Sequence, residues 1–357
     1  MPEEIKYWIW MAYLPGMGAK TFYQIIKTFG CAANFFDAAY NNSPMLRGLQ
    51  PELVSAARAA CSKSRVTEIL CELAEKRVSV ITRLCEDYPA PLLRIPWSPA
   101  VLFVKGRLCD ARRAIGIVGT RRCTRRGYEL THNISSCLGM PVVSGLARGI
   151  DTAAHTGALK ANQPTTAVLG CGADIVYPPE NTDVYQSIIE NNGAVVSELP
   201  PGAAPFAANF PVRNRIIAGL ARGLLVVESE EIGGTAITVS NAIGLGIDIF
   251  AVPGPPYIAN SALPNMLIAN GAVPVLGAAD IKRHYGEESR AERKNAAPPP
   301  PLDLLQSRIL ELLKNEDRSA QAISDLTGMP AEQISAALTM LELSGAVRRI
   351  AGGKYGV

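Results

Sequence analysis

Six short apolar runs, separated by segments with helical spacing, dominate the chain from residue 113 to about residue 275. Each run is too short to form a helix, and each intervening segment is long enough to form one. Strands that alternate with helices form a parallel sheet covered on both faces. The sequence therefore predicts an α/β fold with a Rossmann-like sheet. The predicted strands are residues 115–118, 142–144, 166–169, 194–197, 224–227 and 249–252.

Different patterns flank this region. Before it, Ile5, Trp8 and Ile9 recur at helical spacing, and a Pro-Gly break precedes a second helix from Ala19 to Phe29. Four prolines and an apolar strand follow at residues 78–112, which we interpret as a connector. The predicted domains are a helical domain at 1–76, the sheet domain at 77–286, a Pro-rich linker at 287–301 and a winged helix-turn-helix at 302–357.

The winged-helix prediction rests on three helical patterns followed by a hairpin. Gly328-Met329-Pro330 marks the turn, and Gly352-Gly353 is expected at the hairpin tip. The third helix carries Glu332 and Glu342 but no Lys or Arg, which argues against major-groove reading. The predicted hairpin carries three cationic residues, Arg348, Arg349 and Lys354. They could contact phosphates, or the surface could bind a protein.

Composition excludes several classes of protein. With 48% hydrophobic and 19% charged residues, the chain has enough apolar surface to bury a core. The eight cysteines form no C-x-x-C pair and only three histidines accompany them, so we expect reduced thiols and no metal. No apolar run of about 18 residues is present. These features favour a cytoplasmic protein with no membrane partner and no cofactor.

The first predicted strand ends in Gly119-Thr120-Arg121-Arg122, just ahead of a helix. A glycine turn lets backbone N–H groups approach an anion, and a helix N-terminus adds partial positive charge. The pattern is not G-x-G-x-x-G, and no acidic residue ends the next strand, which disfavours NAD. Six arginines are expected around this turn, as a phosphate site or as a solvated surface: Arg112, Arg113, Arg121, Arg122, Arg125 and Arg126.

Later strands also end in glycine or polar residues, which the carboxyl edge of a parallel sheet would bring together. Asp151 and His155 share a helix face, either in a site or as a capping residue beside a satisfied core histidine. Of Arg213 and Arg215, we expect one to contact a ligand and one to pair with Glu198 or Glu228. The predicted DNA- or phosphate-binding residues are Gly119, Thr120, Arg121, Arg122, Ser144, Gly145, Arg148, Asp151, Gly170, Asn181, Arg213, Asn214, Arg215, Gly234 and Thr235.

Taken together, these motifs resemble those of the DprA/Smf family of DNA-processing proteins between about residues 113 and 275. They occur in the order Gly119-Thr120-Arg121, Ser144 to Asp151 with His155, Tyr177-Pro178 with Asn181, Ser197-Glu198, Phe210-Pro211 with Arg213-Asn214-Arg215, and Pro253-Gly254. The chain departs from the family at Gly233-Gly234-Thr235, where Ser-Gly-Ser is usual, and at Gly246-Ile247-Asp248, which lacks the usual Gly-Arg.

The resemblance implies a function without catalysis. Members bind single-stranded DNA as homodimers, protect it and help to load RecA during natural transformation, and Arg121 aligns with their DNA-contacting arginine. Leu14-Pro15-Gly16-Met17-Gly18 is similar to a SAM-like or helix-hairpin-helix element, whose glycine N–H groups can hold a DNA phosphate; a helical packing domain is the alternative. For the dimer we expect an apolar face around Ile243–Leu245 and Leu263–Ile268.

Two other functions stay open. One is a nucleotide-binding or N-glycosidic hydrolase related to the LOG family, in which Glu198 or Glu228 would act on the glycosidic bond. The other is a protein adaptor, which would leave the arginine-rich turn unexplained.

Overall fold

The computed structural model describes residues 3–287, 303–343, 346–350 and 353–356. These residues belong to two compact units, one ending at Gly286 and the other beginning at Glu287. Of the predicted linker, only Glu287 lies within the described residues, and Gly352 lies outside them.

Five helices form the start of the first unit. The bounds predicted for the second helix are confirmed, and Gly30 ends it at φ 82°, a left-handed conformation that glycine adopts easily. Ile5, Trp8 and Ile9 are buried, as their helical spacing indicated. The helices are α1 (Glu3–Ala12), α2 (Ala19–Phe29), α3 (Ala32–Tyr40), α4 (Pro51–Ala60) and α5 (Lys63–Glu75).

A nine-stranded sheet follows, in the order β1-β2-β6-β5-β4-β3-β7-β8-β9. Strands β3 to β9 are parallel, and β1 and β2 extend the sheet in antiparallel orientation beyond β6. The strands are β1 (Ser79–Thr82), β2 (Val101–Gly106), β3 (Ile115–Val118), β4 (Val142–Ser144), β5 (Thr165–Val168), β6 (Ala194–Ser197), β7 (Gly223–Val226), β8 (Asp248–Ala251) and β9 (Val273–Pro274).

All six predicted strands are present, three with the predicted bounds and three displaced by one residue. The interpretation of residues 78–112 as a connector is wrong, because β1 and β2 belong to the sheet. The four prolines lie in the loop between Thr82 and Val101, so they remove no hydrogen bond from the strand pairing.

Helices cover both faces of the parallel strands. Alternate residues of one strand point to opposite faces, so Val118 and Ile117 belong to different apolar cores. The helices are α6 (Arg125–Cys137), α7 (Ile150–Lys160), α8 (Thr182–Glu190), α9 (Asn209–Gly219), α10 (Gly234–Gly244), α11 (Ala262–Ala269) and α12 (Ala278–His284). We call the edge where β3 to β7 end the rim, and the edge where they begin the amino edge.

The N-terminal helices share a core with the sheet. Phe103 of β2 is fully buried in the same cluster as Trp10 and Phe35, and its ring centroid lies 5.9 Å from that of Tyr13. This continuity explains why the helices and the sheet form one compact unit.

The second unit has the predicted winged-helix pattern. Three helices pack around Ile309, Ile334 and Leu338, and Gly328 ends the second helix at φ 69°. A short strand that the sequence did not indicate, β10, pairs with the hairpin. The elements are α13 (Leu304–Asn315), β10 (Arg318–Ser319), α14 (Ala320–Thr327), α15 (Ala331–Leu343), β11 (Arg348–Ile350) and β12 (Lys354–Gly356).

Candidate functional site

An open pocket of about 590 Å³ lies at the rim. Nine of the predicted site residues line it: Gly119, Thr120, Arg121, Arg122, Asp151, Arg213, Asn214, Gly234 and Thr235. Gly145 and Arg148 line an adjoining cleft together with Arg121, Tyr177 and Phe210. The other four predicted residues line neither cavity; they are Ser144, Gly170, Asn181 and Arg215.

The turn after β3 is built around a position that only glycine fits. A Cβ atom on Gly119 would lie 2.5 Å from Cγ1 of Ile150 and 2.8 Å from the carbonyl oxygen of Glu228. Close packing on both sides lets the Thr120 N–H donate to the Glu228 carbonyl oxygen over 2.6 Å. The next side chain, Arg121, consequently projects from a turn that is held at both ends.

The N-terminus of α6 does not hold a phosphate in the way that the sequence suggested. The Glu228 carboxylate accepts hydrogen bonds from the Thr124 N–H (2.8 Å) and the Thr124 hydroxyl (2.6 Å). Thr124 in turn caps the helix by accepting from the Gly127 N–H. A carboxylate of the protein itself thus occupies the positive end of the helix.

The arginine cluster divides between the two edges of the sheet. Arg112 and Arg113 precede β3 and lie at the amino edge, where Arg112 pairs with Asp110 over 3.1 Å. Arg121 and Arg122 follow β3 at the rim, are exposed and form no ion pair with any described residue. The expectation that all six arginines gather at one mouth is therefore wrong, because β3 separates them.

The turn from Ser144 to Asp151 is held by internal hydrogen bonds. The Ser144 hydroxyl is fully buried and donates to the Ile117 carbonyl oxygen over 2.6 Å. The Asp151 carboxylate accepts from the N–H groups of Gly145 (3.1 Å) and Ala147 (3.3 Å). Burial raises the pKa of Asp151, and the Arg213 charge opposes that rise. The polar groups of this turn are therefore engaged inside the protein, where they support the shape of the pocket.

Arg213 lies beneath the pocket and is 6% exposed. Its guanidinium donates to the carbonyl oxygens of Gly145 (2.8 Å) and Val168, and to the side-chain oxygen of Asn214 (3.2 Å). Burial lowers its pKa to about 10, while the Asp151 charge acts in the opposite direction. Arg213 thus links the turns after β4 and β5 and adds positive charge below the pocket floor.

Two further predicted residues lie in the interior. The His155 ring is fully buried, and its Nδ1 lies 2.8 Å from the Thr165 hydroxyl. Because that hydroxyl donates to the Val142 carbonyl oxygen, Nδ1 carries the proton. Burial, assisted by the Arg213 charge, lowers the pKa of His155 to about 3. Asn181 donates to the Leu146 carbonyl oxygen over 2.9 Å and holds two rim loops together.

Aromatic rings form part of the pocket wall. Phe210 packs over Gly170, and its ring centroid lies 5.5 Å from that of Tyr177. The Arg121 guanidinium lies 5.5 Å from the Phe210 centroid. Tyr177 and Phe210 belong to the family motifs but were not among the predicted site residues. The available signal was an aromatic residue followed by proline in two rim loops.

Ion pairs fix the periphery of the site. Arg215 pairs with Glu198 in a half-buried position, and Arg148 pairs with Glu180 on the surface over 2.6 Å. Gly234 opens α10, where its carbonyl oxygen accepts from the Asn214 side chain over 3.1 Å. Arg213 and Arg215 therefore both have internal partners.

Two observations bear on metal binding and on the hydrolase alternative. No cluster of three His, Cys, Asp or Glu side chains in the described ranges could hold a metal ion. Glu198 and Glu228, the carboxylates considered for glycosidic hydrolysis, are engaged by Arg215 and Thr124 respectively. Among the described residues, no helix is long and apolar enough to cross a membrane.

Comparisons with known proteins agree with this architecture. The family model described as DNA recombination-mediator protein A matches residues 79–286, and that of the DprA winged helix domain matches residues 293–353. Protein Smf from Synechocystis sp. is 31% identical over an alignment that covers 99% of this chain and 98% of that protein.

Two solved structures are also similar. The X-ray structure of DNA processing protein A from Streptococcus pneumoniae has a TM-score of 0.63 and 32% identity, and the match covers 78% of this chain and 97% of that one. DNA processing protein A from Helicobacter pylori, whose structure concerns a single-stranded DNA binding mode of that protein, has a TM-score of 0.53. It is 24% identical over 59% of this chain and 98% of that one, so this similarity shows the fold.

Proposed function

Because the chain belongs to the DNA recombination-mediator protein A (DprA/Smf) family of DNA-processing proteins, we propose that it binds single-stranded DNA at the rim. In this proposal the pocket holds the backbone and bases of an unpaired strand, and the protein carries out no chemical step on it. The single observation that carries the proposal is the position of Arg121, an exposed guanidinium beside an aromatic ring at the pocket mouth.

The charge around the pocket favours an anion at that position. Arg121 and Arg122 have no ion pair with any described residue, so their charges are available to phosphate oxygens. The buried Arg213 adds a second layer of positive charge below them. One exposed carboxylate, Glu230, also lines the pocket, in the loop after β7. We place the phosphate at Arg121 and Arg122, in the loop after β3.

The aromatic wall favours an unpaired strand over a duplex. Stacking on Phe210 or Tyr177 needs an open base face, which a base pair inside a duplex does not offer. Phosphate contacts and stacking depend little on base identity. We therefore expect binding that is selective for single strands and tolerant of sequence.

The family's wider role extends this proposal. We infer that the bound strand is protected and passed to RecA during natural transformation, as the family resemblance implies. Support for this part comes from membership of the family. Loading would be observed as faster RecA assembly on DNA covered by single-strand binding protein.

We also propose that the protein acts as a homodimer. Within the apolar segments expected at the interface, Ile243 is 58% and Met266 38% exposed, whereas Leu263 and Leu267 are buried in the core of their own unit. An apolar surface of this kind favours association with a second copy. Multi-angle light scattering at micromolar concentration tests this, and a monomer at every concentration would refute it.

Fluorescence anisotropy across a salt series tests the DNA proposal. Labelled single- and double-stranded oligonucleotides are titrated with the wild type and with Arg121→Ala. A hydrogen bond to a charged group contributes about 1.5–3 kcal/mol, so the dissociation constant for the single strand should rise at least about tenfold. The salt dependence should weaken by about one phosphate contact.

Arg112→Ala is the matched control, since it removes an exposed arginine from the amino edge. It should leave single-strand binding unchanged. Equal losses of single-strand affinity in the two variants would indicate that diffuse charge, not a defined site, binds the DNA. Equal affinity for duplex and single strand would contradict strand selectivity. Release of free base from nucleoside monophosphates would favour the hydrolase instead.

A further inference from the structure

A second aromatic and basic surface lies outside the pocket, next to β1 and β2 and beyond the β6 end of the rim. Trp97 is 50% exposed, and its ring centroid lies 6.4 Å from that of Tyr23 in α2. The Arg83 guanidinium lies 5.3 Å from the Tyr23 centroid, and the Tyr23 hydroxyl is 3.2 Å from that of Ser98. We call Tyr23, Arg83 and Trp97 the aromatic platform.

Exposed cations lie on and beside the platform. Lys20 and Lys27 are exposed on α2, three residues before and four residues after Tyr23, so the three positions share one face of the helix. Neither lysine nor Arg83 forms an ion pair with any described residue. Positive charge beside open aromatic faces is the combination that binds single-stranded nucleic acid.

The sheet topology places the platform in line with the pocket. Thr82 ends β1 opposite Val101, and Phe103 of antiparallel β2 pairs with Ser197 at the end of β6. The loop that carries Arg83 and Trp97 therefore leaves the sheet on the same side as the rim. Five strand spacings of about 4.8 Å separate β1 from β3, or about 24 Å in all. At about 3.4 Å per nucleotide this is roughly seven nucleotides.

The backbone at Trp97 is strained. Its φ is 55°, in the left-handed region that a bulky side chain rarely adopts and that glycine or asparagine adopts more easily. The ring is half-exposed, so burial in the core does not explain why tryptophan stands there. Strained residues of this kind concentrate at binding sites.

From these observations we propose that the aromatic platform is a second contact for the same DNA strand, at which an unpaired base stacks on Trp97 and the neighbouring cations hold the backbone. This inference rests on the proposed function of the rim. The inference predicts a minimum length of DNA for full affinity, because a single-stranded DNA must cross the end of the sheet to reach both contacts. Shorter DNA binds at the pocket alone.

Tryptophan fluorescence tests the platform directly. The chain has three tryptophans, of which Trp8 and Trp10 are 5% and 0% exposed, so Trp97 is the one that solvent and DNA reach. An oligothymidylate of about twenty nucleotides should quench its emission on binding. One of about four nucleotides should bind at the pocket and leave the emission unchanged. Trp97→Phe identifies the quenched residue.

Binding of the two lengths is then compared across variants. Trp97→Gly removes the ring and relieves the strained backbone, so lost binding would not reflect lost stability. It should weaken the longer oligonucleotide about tenfold and the shorter one not at all, and Trp97→Phe should restore most of the loss. Tyr40→Ala, which removes another exposed aromatic ring of the same helical region, should change neither.

The possible failures are distinguishable. If Arg121→Ala weakens both lengths while Trp97→Gly weakens neither and no length quenches the tryptophan, the pocket stands and the platform is refuted. If Arg121→Ala changes nothing, the rim proposal fails, whatever the fluorescence shows. Quenching by a partner protein but by no DNA would assign the platform to a protein partner and overturn this inference.

Discussion

The amino edge and the rim of the same sheet hold arginines in opposite circumstances. At the amino edge, Arg112 pairs with Asp110, and the Arg222 guanidinium lies 3.8 Å from the centroid of the Tyr285 ring. At the rim, Arg121 and Arg122 are exposed without an ion pair among the described residues. Closeness in sequence therefore says little about the role of an arginine, since the end of the strand on which it lies decides its partners.

The rim itself has two layers. Arg213, in the lower layer, donates hydrogen bonds to backbone carbonyl oxygens, whereas Arg121, in the upper layer, donates to no carbonyl oxygen of the described residues. The hydrogen bonds of the lower layer fix the geometry of the turns, and in the proposed function the upper layer contacts the DNA. This division predicts that substitutions in the two layers affect different measurements.

The largest effect is expected for Arg213→Met. The substitution removes the guanidinium donor from the carbonyl oxygens of Gly145 and Val168 and leaves Asp151 buried without a compensating charge. Loss of one partner from a buried charged network costs about 3–5 kcal/mol, which urea unfolding should detect. Arg213→Lys should recover little of this stability, because an ammonium group cannot bridge both carbonyl groups. A loss below about 1 kcal/mol would show that the lower layer is not structural.

A smaller effect concerns acid stability and tests whether His155 belongs to the interior. Burial lowers its folded pKa from 6.5 to about 3, so only the unfolded chain gains a proton as the pH falls below 6.5. The stability associated with the neutral ring is present above pH 6.5 and falls toward pH 3. At about 1.4 kcal/mol per pH unit, about 2 kcal/mol should be lost between pH 6.5 and 5.

His155→Asn supplies the comparison, since its amide retains a donor near Nδ1 but does not titrate. Urea unfolding from pH 7 to 5 should show the wild type losing stability faster than this variant. The raised pKa of Asp151 acts in the opposite direction, favouring the folded state at lower pH, and contributes to both proteins. Parallel profiles would mean that the ring takes up its proton alike in the folded and the unfolded chain.

The smallest effect is expected for Asp110→Asn, which releases Arg112 at the amino edge. If position and not charge alone creates the DNA site, single-strand affinity should stay at the wild-type value. The exposed ion pair should contribute little to the unfolding transition. If Asp110→Asn instead raised single-strand affinity at low salt by as much as Arg121→Ala lowers it, arginines at the two edges would contribute equally to DNA binding.

Local signals in the sequence predicted the strands and the rim turns well. Gly119 and Gly30 occupy turns whose geometry depends on neighbouring residues, and short apolar runs bounded by such turns identify strands. Local signals did not predict which side chains of the site form the lower layer and which form the upper layer. Glu228 binds Thr124 across 104 residues, and Arg213 binds Gly145 across 68. The fold alone brings these partners together.

The same limit explains the error over residues 78–112. The prolines are a local signal and indicated a connector, whereas the pairing of Phe103 with Ser197 depends on a strand more than ninety residues later. A partner at that separation leaves no trace in the local pattern.

The shared core of the N-terminal helices and β2 constrains how such a chain evolves. Phe103 faces Trp10 and Phe35 in one cluster, so substitutions on either side must remain mutually compatible, and the helices cannot be exchanged without repacking an edge of the sheet. The winged-helix cluster is formed by residues from Leu305 onward. The N-terminal helices and the sheet, which share one core, must therefore diverge together.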